Sequence, residues 1–140
     1  MTLKRTYKLI AVIFAVLYFN NMAFAQESIK LLMRADDMGK TYGRTMGIIK
    51  AHKEGIITSA SIMPTSAYFE ESVKLCKKNP SLAVGIHLSI ADITQRPVLS
   101  PELIPSIVAP NGFFYENSAQ IEKVNPKIEE IEKEIRAQIG

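Results

Sequence analysis

Three strand-like segments alternate with two helical patterns between Ile29 and Leu88, and this alternation restricts the fold more than any other feature of the chain. Ile29–Met33 reads as a buried strand. Thr41–Glu54 has helix spacing, with Tyr42, Met46, Ile49 and Lys53 on one stripe and Thr45, Ile48 and His52 beside it. Gly55 stands where a helix end takes a left-handed residue. Ile56–Met63 is rich in β-branched and small residues and is stopped by Pro64, which predicts a second strand. Ala67–Lys78 predicts a second helix, with Phe69, Val73 and Cys76 inward, Ser72 and Leu75 flanking, and Asn79–Pro80 ending it. Leu82–Leu88 predicts a third strand. Strands joined through helices in this way are parallel and connected by right-handed crossovers, so the class is α/β.

In folds of that class the chemistry sits where strands end. Arg34-Ala35-Asp36-Asp37-Met38-Gly39 follows the first predicted strand at that edge. Neighbouring carboxylates repel, so the pair is cheap only beside something positive. A divalent cation serves: one carboxylate binds it and the other is left free as a base. The same two residues also suit a turn and a helix cap. His87 ends the third predicted strand, on the same rim because all three strands run the same way, and Gly85 leaves room on that face. Alone, His87 is equally a core histidine satisfied by a hydrogen bond. With the Asp pair it completes the mixed nitrogen and oxygen makeup of a mononuclear metal site. His52 reads more simply, as a polar residue beside the negative end of its helix.

The first 25 residues stand apart. Lys4, Arg5 and Lys8 precede the apolar run Leu9–Phe19, and Ala23-Phe24-Ala25 is an A-x-A cleavage site, the pattern of a secretory signal peptide with Gln26 first in the mature chain. The protein is therefore expected to be exported, to a periplasm or the extracellular space, with no membrane segment after cleavage. The run is short for an anchor and ends at Asn20-Asn21. Cleavage also changes the charge. The formal net charge of +3 becomes zero, because the 17 basic residues fall to 14 against 14 acidic ones. That removes the electrostatic case for nucleic acid or an anionic membrane as partner. Cys76 is the one cysteine, so an internal disulfide is excluded, and its apolar helical setting marks a buried, inert thiol. Residues 26–140 are enough for one small domain, without repeat or linker.

Ser89–Asn117 is irregular, punctuated by Pro97, Pro101, Pro105 and Pro110, with a tight turn at Asn111-Gly112. A loop this long leaving the strand-end rim suits a lid or a substrate wall. Phe113, Phe114 and Tyr115 either stack on a sugar ring or plug the loop onto the rest of the fold. Ser118–Val124 predicts a short helical turn. A last helix is predicted with Asn125 as N-cap and Pro126 at its first position. Ile128, Ile131, Ile135 and Ile139 form its apolar stripe, and Glu129 with Lys133 and Glu132 with Arg136 lie on its wet face. A further strand is expected after such a helix, so the ending at Gly140 reads as a cut.

Taken in order, Ala35-Asp36-Asp37-Met38-Gly39, Gly55–Met63, Val84-Gly85-Ile86-His87-Leu88, Arg96-Pro97-Val98-Leu99, Asn111-Gly112-Phe113 and Glu134-Ile135-Arg136-Ala137-Gln138 resemble the YdjC-like carbohydrate deacetylases. That family includes the chitooligosaccharide and hopanoid-biosynthesis deacetylases. The resemblance covers essentially all of residues 26–140. It implies the N-terminal portion of a variant (β/α) barrel, roughly three of its strands, and removal of acetyl groups from N-acetylated sugars or oligosaccharides with a divalent metal, Mg or Zn. By resemblance Asp36 is the general base, and Asp37 and His87 are metal ligands. The family's third ligand is a histidine in a D-x-H-x-H-like segment beyond the last helix. Two positions depart from the pattern: Met38 replaces a frequent Phe, and Thr45 a usual Asn. A rival reading is an exported, non-catalytic sugar-binding or remnant barrel, and another is a metal-using sugar isomerase or epimerase. The sugar and the oligomeric state, a homo-oligomer included, stay open.

Overall fold

A computed structural model describes residues 29–140, so the signal-peptide segment lies outside the described residues. The chain runs β1 (Arg34–Met38), α1 (Tyr42–Glu54), β2 (Ser59–Ile62), α2 (Phe69–Lys77), β3 (Ala83–Ile86), a 3-10 turn at Pro101–Leu103, α3 (Ser118–Lys123) and α4 (Ile128–Ile139). The strands form one parallel sheet in the order β1-β2-β3. Ala60 and Ile62 of β2 pack in one apolar cluster with Met38, with Ile48 and Ile49 of α1 and with Leu82. Phe69, Val73 and Cys76 of α2 lean on the same cluster. Both helices therefore cover one face of the sheet. The β3 edge is open: Val84 and Ile86 pair with Ala60 and Ile62 on that same face but are exposed, as is Leu88 beyond them. Three strands in this arrangement do not close a barrel.

The first strand is displaced from its predicted place. The apolar run Ile29–Met33 lies before the strand, with Ile29, Leu31 and Leu32 exposed, and the strand begins at Arg34. Asp36 and Asp37 thus sit within β1 and not beyond it. The inward face of α1 also differs. Thr45, Ile48 and Ile49 are buried, whereas Tyr42 and Met46 are exposed. Thr41 caps this helix by accepting from the Arg44 amide at 3.1 Å.

The loop after β3 has its own core. Ile104, Ile107, Val108 and Phe114 are buried together, with Ile90, Leu99 and Ile131 against them. Phe114 is the plug, fully enclosed and bridged to Val108. The predicted turn at Ser118–Val124 is α3, capped by Asn117, whose side chain accepts from the Gln120 amide at 3.1 Å.

In α4 the predicted stripe is overturned. Ile128 and Ile139 are exposed, and the buried face is Glu130, Glu134 and Gln138. The cause is the loop packed against it, whose irregular backbone has N–H groups with no ladder to join. Glu134 accepts from the Val98 amide at 2.9 Å and the Leu99 amide at 3.1 Å. Glu130 accepts from the Ser106 amide at 2.7 Å. Gln138 pairs with both backbone groups of Ser89, at 3.0 and 2.7 Å. Backbone hydrogen bonding outranks the apolar stripe here because each orphaned N–H would cost about 1–3 kcal/mol. The N-cap is Lys127, and Asn125 stands outside the helix with φ 51°.

Candidate functional site

Adjacent residues of a strand face opposite ways, so Asp36 and Asp37 should not share a rim. A bulge changes this. Ala35 pairs with Ala60 and Met38 with Ile62, so Asp36 and Asp37 of β1 stand opposite the single residue Ser61 of β2. Such a two-against-one step bends the strand and re-aims a side chain. Asp37 takes it up with φ 63°, a left-handed conformation that Asp tolerates better than most residues. The chain then turns at Gly39, with φ 100°, where a side chain would be strained.

Both carboxylates consequently face His87, which follows β3. His87 Nδ1 lies 3.1 Å from Asp37 Oδ1 and 3.3 Å from Ser61 Oγ. The Ser61 hydroxyl donates to Asp36 Oδ1 at 2.7 Å. Arg34 Nε approaches the same carboxylate at 2.9 Å, and Arg44 pairs with Asp37 Oδ2. Arg34, Asp36, Ser61, Ile86, His87 and Leu88 line an open cleft of about 300 Å³. The Ser61 hydroxyl holds the Asp36 carboxyl below the usual carboxylate range. Partial desolvation opposes this and Arg34 assists it.

The three residues singled out in the sequence are therefore brought together. Ser61, Arg34 and Arg44 were not foreseen. Ser61 had one available signal: it alternates with the buried Ala60 and Ile62, so its strand position faces away from the apolar cluster. Thr45, at the position of the family's usual Asn, is buried and hydrogen-bonds to neither Asp. Its hydroxyl accepts from the Gly39 amide at 3.0 Å and lies 2.9 Å from Ser72 Oγ, which fixes the turn after the carboxylates. His52 is structural: Nδ1 is 2.8 Å from the Ile57 carbonyl and Nε2 2.9 Å from Ser81 Oγ. Cys76 is half-buried beside Met38, and burial pushes its thiol up, away from reactivity.

Asp37 and His87 offer one oxygen and one nitrogen donor. The two stand 3.1 Å apart, close enough that both could turn to one ion. The pair thus fits a divalent cation. Among the described residues no third His, Cys, Asp or Glu joins them into a larger donor group.

The model of YdjC-like proteins matches residues 30–140. The chain belongs to the YdjC-like family. Among its YdjC-like relatives, a carbohydrate deacetylase of Enterococcus faecalis is 43% identical over 111 residues, covering 79% of this chain and 42% of the relative. A carbohydrate deacetylase of Brevibacillus brevis is 40% identical over 111 residues, with the same coverage. A solved structure from Enterococcus faecalis V583, named for cellobiose-phosphate cleavage, superposes with a TM-score of 0.71 at 38% identity, over 77% of this chain and 41% of that one. This YdjC-like chain spans about two fifths of the length of these relatives.

Proposed function

We propose that this chain forms the N-terminal part of a metal-dependent carbohydrate deacetylase that removes acetyl groups from N-acetylated sugars. The observation that carries the reading is the bulge in β1, which turns two sequence-adjacent carboxylates toward one imidazole. The deacetylases among the relatives support the reaction class. In this reading the three strands, with both helices on one face, are the opening strands of the variant barrel. Residues 1–25 are a signal peptide that exports the protein.

Asp37 and His87 would hold the cation. When bound, it supplies positive charge that polarises an amide carbonyl and favours ionisation of a nearby water. Asp36 is the proton acceptor. Ser61 and Arg34 crowd its Oδ1, at 2.7 and 2.9 Å, and the Ser61 hydrogen bond favours the charged form. Among the described residues its Oδ2 meets only the longer Arg34 contact, 3.3 Å, and is the freer oxygen to receive a proton. Arg44 neutralises the outer oxygen of Asp37 and so fixes which oxygen faces His87. A third donor, and an acid for the departing amine, would come from the part of the relatives' length that this chain does not span.

One observation favours a second reading, a non-catalytic sugar-binding protein: the donor group among the described residues stops at two. Calorimetric titration of the chain with Mg²⁺ and Zn²⁺, with an acetate-release assay on N-acetylglucosamine oligomers run on a longer protein that carries this segment and supplies the third donor and the acid, separates the two. Binding of metal that depends on Asp37 and His87 supports the deacetylase. Sugar binding without any metal binding supports the rival.

A further inference from the structure

Arg44 stands where its own helix gives it no support. The first turn of α1 reads Tyr42-Gly43-Arg44-Thr45, and the N-terminal end of a helix is partly positive. Acidic residues favour that place and a cation opposes it. What holds the guanidinium there lies outside the helix: Arg44 Nη1 donates to Asp37 Oδ2, seven residues earlier in the chain. Both ends of this contact are anchored. The Arg44 amide donates to the Thr41 hydroxyl at 3.1 Å. On the other side, Asp37 sits in its left-handed turn at φ 63°, closed by the Lys40 amide donating to the Asp37 carbonyl at 3.2 Å. The Gly39 amide ties the same turn to the buried Thr45 hydroxyl of α1.

The two oxygens of Asp37 therefore have different neighbours. Oδ1 faces His87 Nδ1 at 3.1 Å, and Oδ2 faces the guanidinium. A cation seated between Asp37 and His87 meets one carboxylate oxygen, because the other is already bound. The charges in the cleft point the same way. Arg34 pairs with Asp36 and Arg44 with Asp37, so the two guanidinium groups balance the two carboxylates. Little negative charge is left to draw in any cation without discrimination, and selection falls to the geometry of the ligands.

Ions differ in what they ask of a carboxylate. Ca²⁺ is large, gathers about six to eight oxygen ligands and often takes both oxygens of one carboxylate. Mg²⁺ is smaller, demands regular geometry and keeps several of its waters, so one oxygen per carboxylate suits it. Zn²⁺ takes few ligands and accepts nitrogen readily. We infer that Arg44 selects the ion: by occupying Oδ2 it holds Asp37 to a single-oxygen ligand and so disfavours Ca²⁺ against Mg²⁺ and Zn²⁺. The inference rests on the metal-dependent reading of the site and adds the residue that discriminates between metals. Arg44 is a positioning residue, since it touches the ligand and not the ion.

The test is amide-resolved NMR titration of the chain with Mg²⁺, Ca²⁺ and Zn²⁺ salts, read at Asp37 and His87. Mg²⁺ and Ca²⁺ carry the same charge, so loss of the guanidinium charge changes both alike, and their affinity ratio reports the freed oxygen. Arg44→Met is expected to raise the affinity for Ca²⁺ relative to Mg²⁺ by at least about fivefold. Arg44→Lys keeps a charged donor for Oδ2 and should stay within about twofold of the parent ratio. The Arg44 side chain is 45% exposed, so both variants leave the core untouched, and unchanged amide shifts in β2 check this. An unchanged ratio in Arg44→Met overturns the proposal, as does an equal rise in Arg44→Met and Arg44→Lys. Failure of the metal-dependent reading is a different result: the parent chain then shows no shifts at Asp37 and His87 with any of the three ions, which overturns both.

Discussion

Lys40 Nζ lies 2.7 Å from Asp92 Oδ2 and so joins the turn that carries the two site carboxylates to the long loop after β3. Asp92 occupies a left-handed conformation, φ 121°, and its Oδ1 accepts from both the amide and the hydroxyl of Thr94. Burial pushes the Asp92 carboxyl up, but Lys40 and Thr94 outweigh it and hold the group at about 2.

A pH dependence of stability follows from that pairing. The folded value lies below the unfolded value of about 3.9. The stabilisation is therefore complete above pH ~4 and is lost as pH falls toward 2. Its size is roughly 2 kcal/mol. Lys40→Met should lower the urea midpoint at pH 7 and flatten the acid limb of the stability profile below pH 4. An unchanged limb would show that Asp92 draws its ionisation from other groups.

Glu134 is fully buried and receives two loop amides. Glu134→Ala should destabilise the chain by about 2–4 kcal/mol, because both N–H groups lose their acceptor. Glu134→Gln should recover part of this, since its amide group keeps one acceptor oxygen. Urea denaturation of the three proteins measures the order.

At the site, Asp37→Asn and His87→Ala should each weaken Zn²⁺ binding by at least about tenfold, and Asp36→Asn should change it much less. In a complete enzyme carrying this segment, Asp36→Asn should abolish acetate release. Calorimetry reads the first expectation and an acetate assay the second.

Thr45→Val removes the acceptor of the Gly39 amide and the partner of Ser72 while preserving shape. Two buried groups lose their bonds, so the expected loss is about 1–3 kcal/mol. Amide exchange should quicken at Gly39 before it quickens in β2. Uniform exchange rates would place the damage elsewhere.

The sheet and the first two helices were legible because burial leaves a periodic trace in the sequence, and the nearness of the Asp pair to His87 because three parallel strands end at one edge. The start of β1 was not. Ile29–Met33 is more apolar than Arg34–Met38, but the strand is made where its backbone pairs with β2, and that stretch carries the polar residues of the site. The bulge left no signal, since spacing alone does not reveal which partner residue is skipped. The face of α4 was misread for a related reason. Periodicity finds apolar partners, whereas Glu130, Glu134 and Gln138 are buried by the hydrogen-bonding needs of a loop 24 to 49 residues earlier in the chain.

Those three residues hold the loop mainly by its main chain, with a consequence for how the loop can vary. A carboxylate that reads an amide proton is indifferent to the side chain on the same residue. Val98, whose side chain is exposed, can be exchanged for many other residues, proline excepted, without loosening the grip of α4, whereas Leu99 packs in the loop's core and the Ser106 hydroxyl accepts from the Lys127 amide. The loop is thus a replaceable panel in a permanent frame, free to change what it shows a ligand while its mounting stays the same.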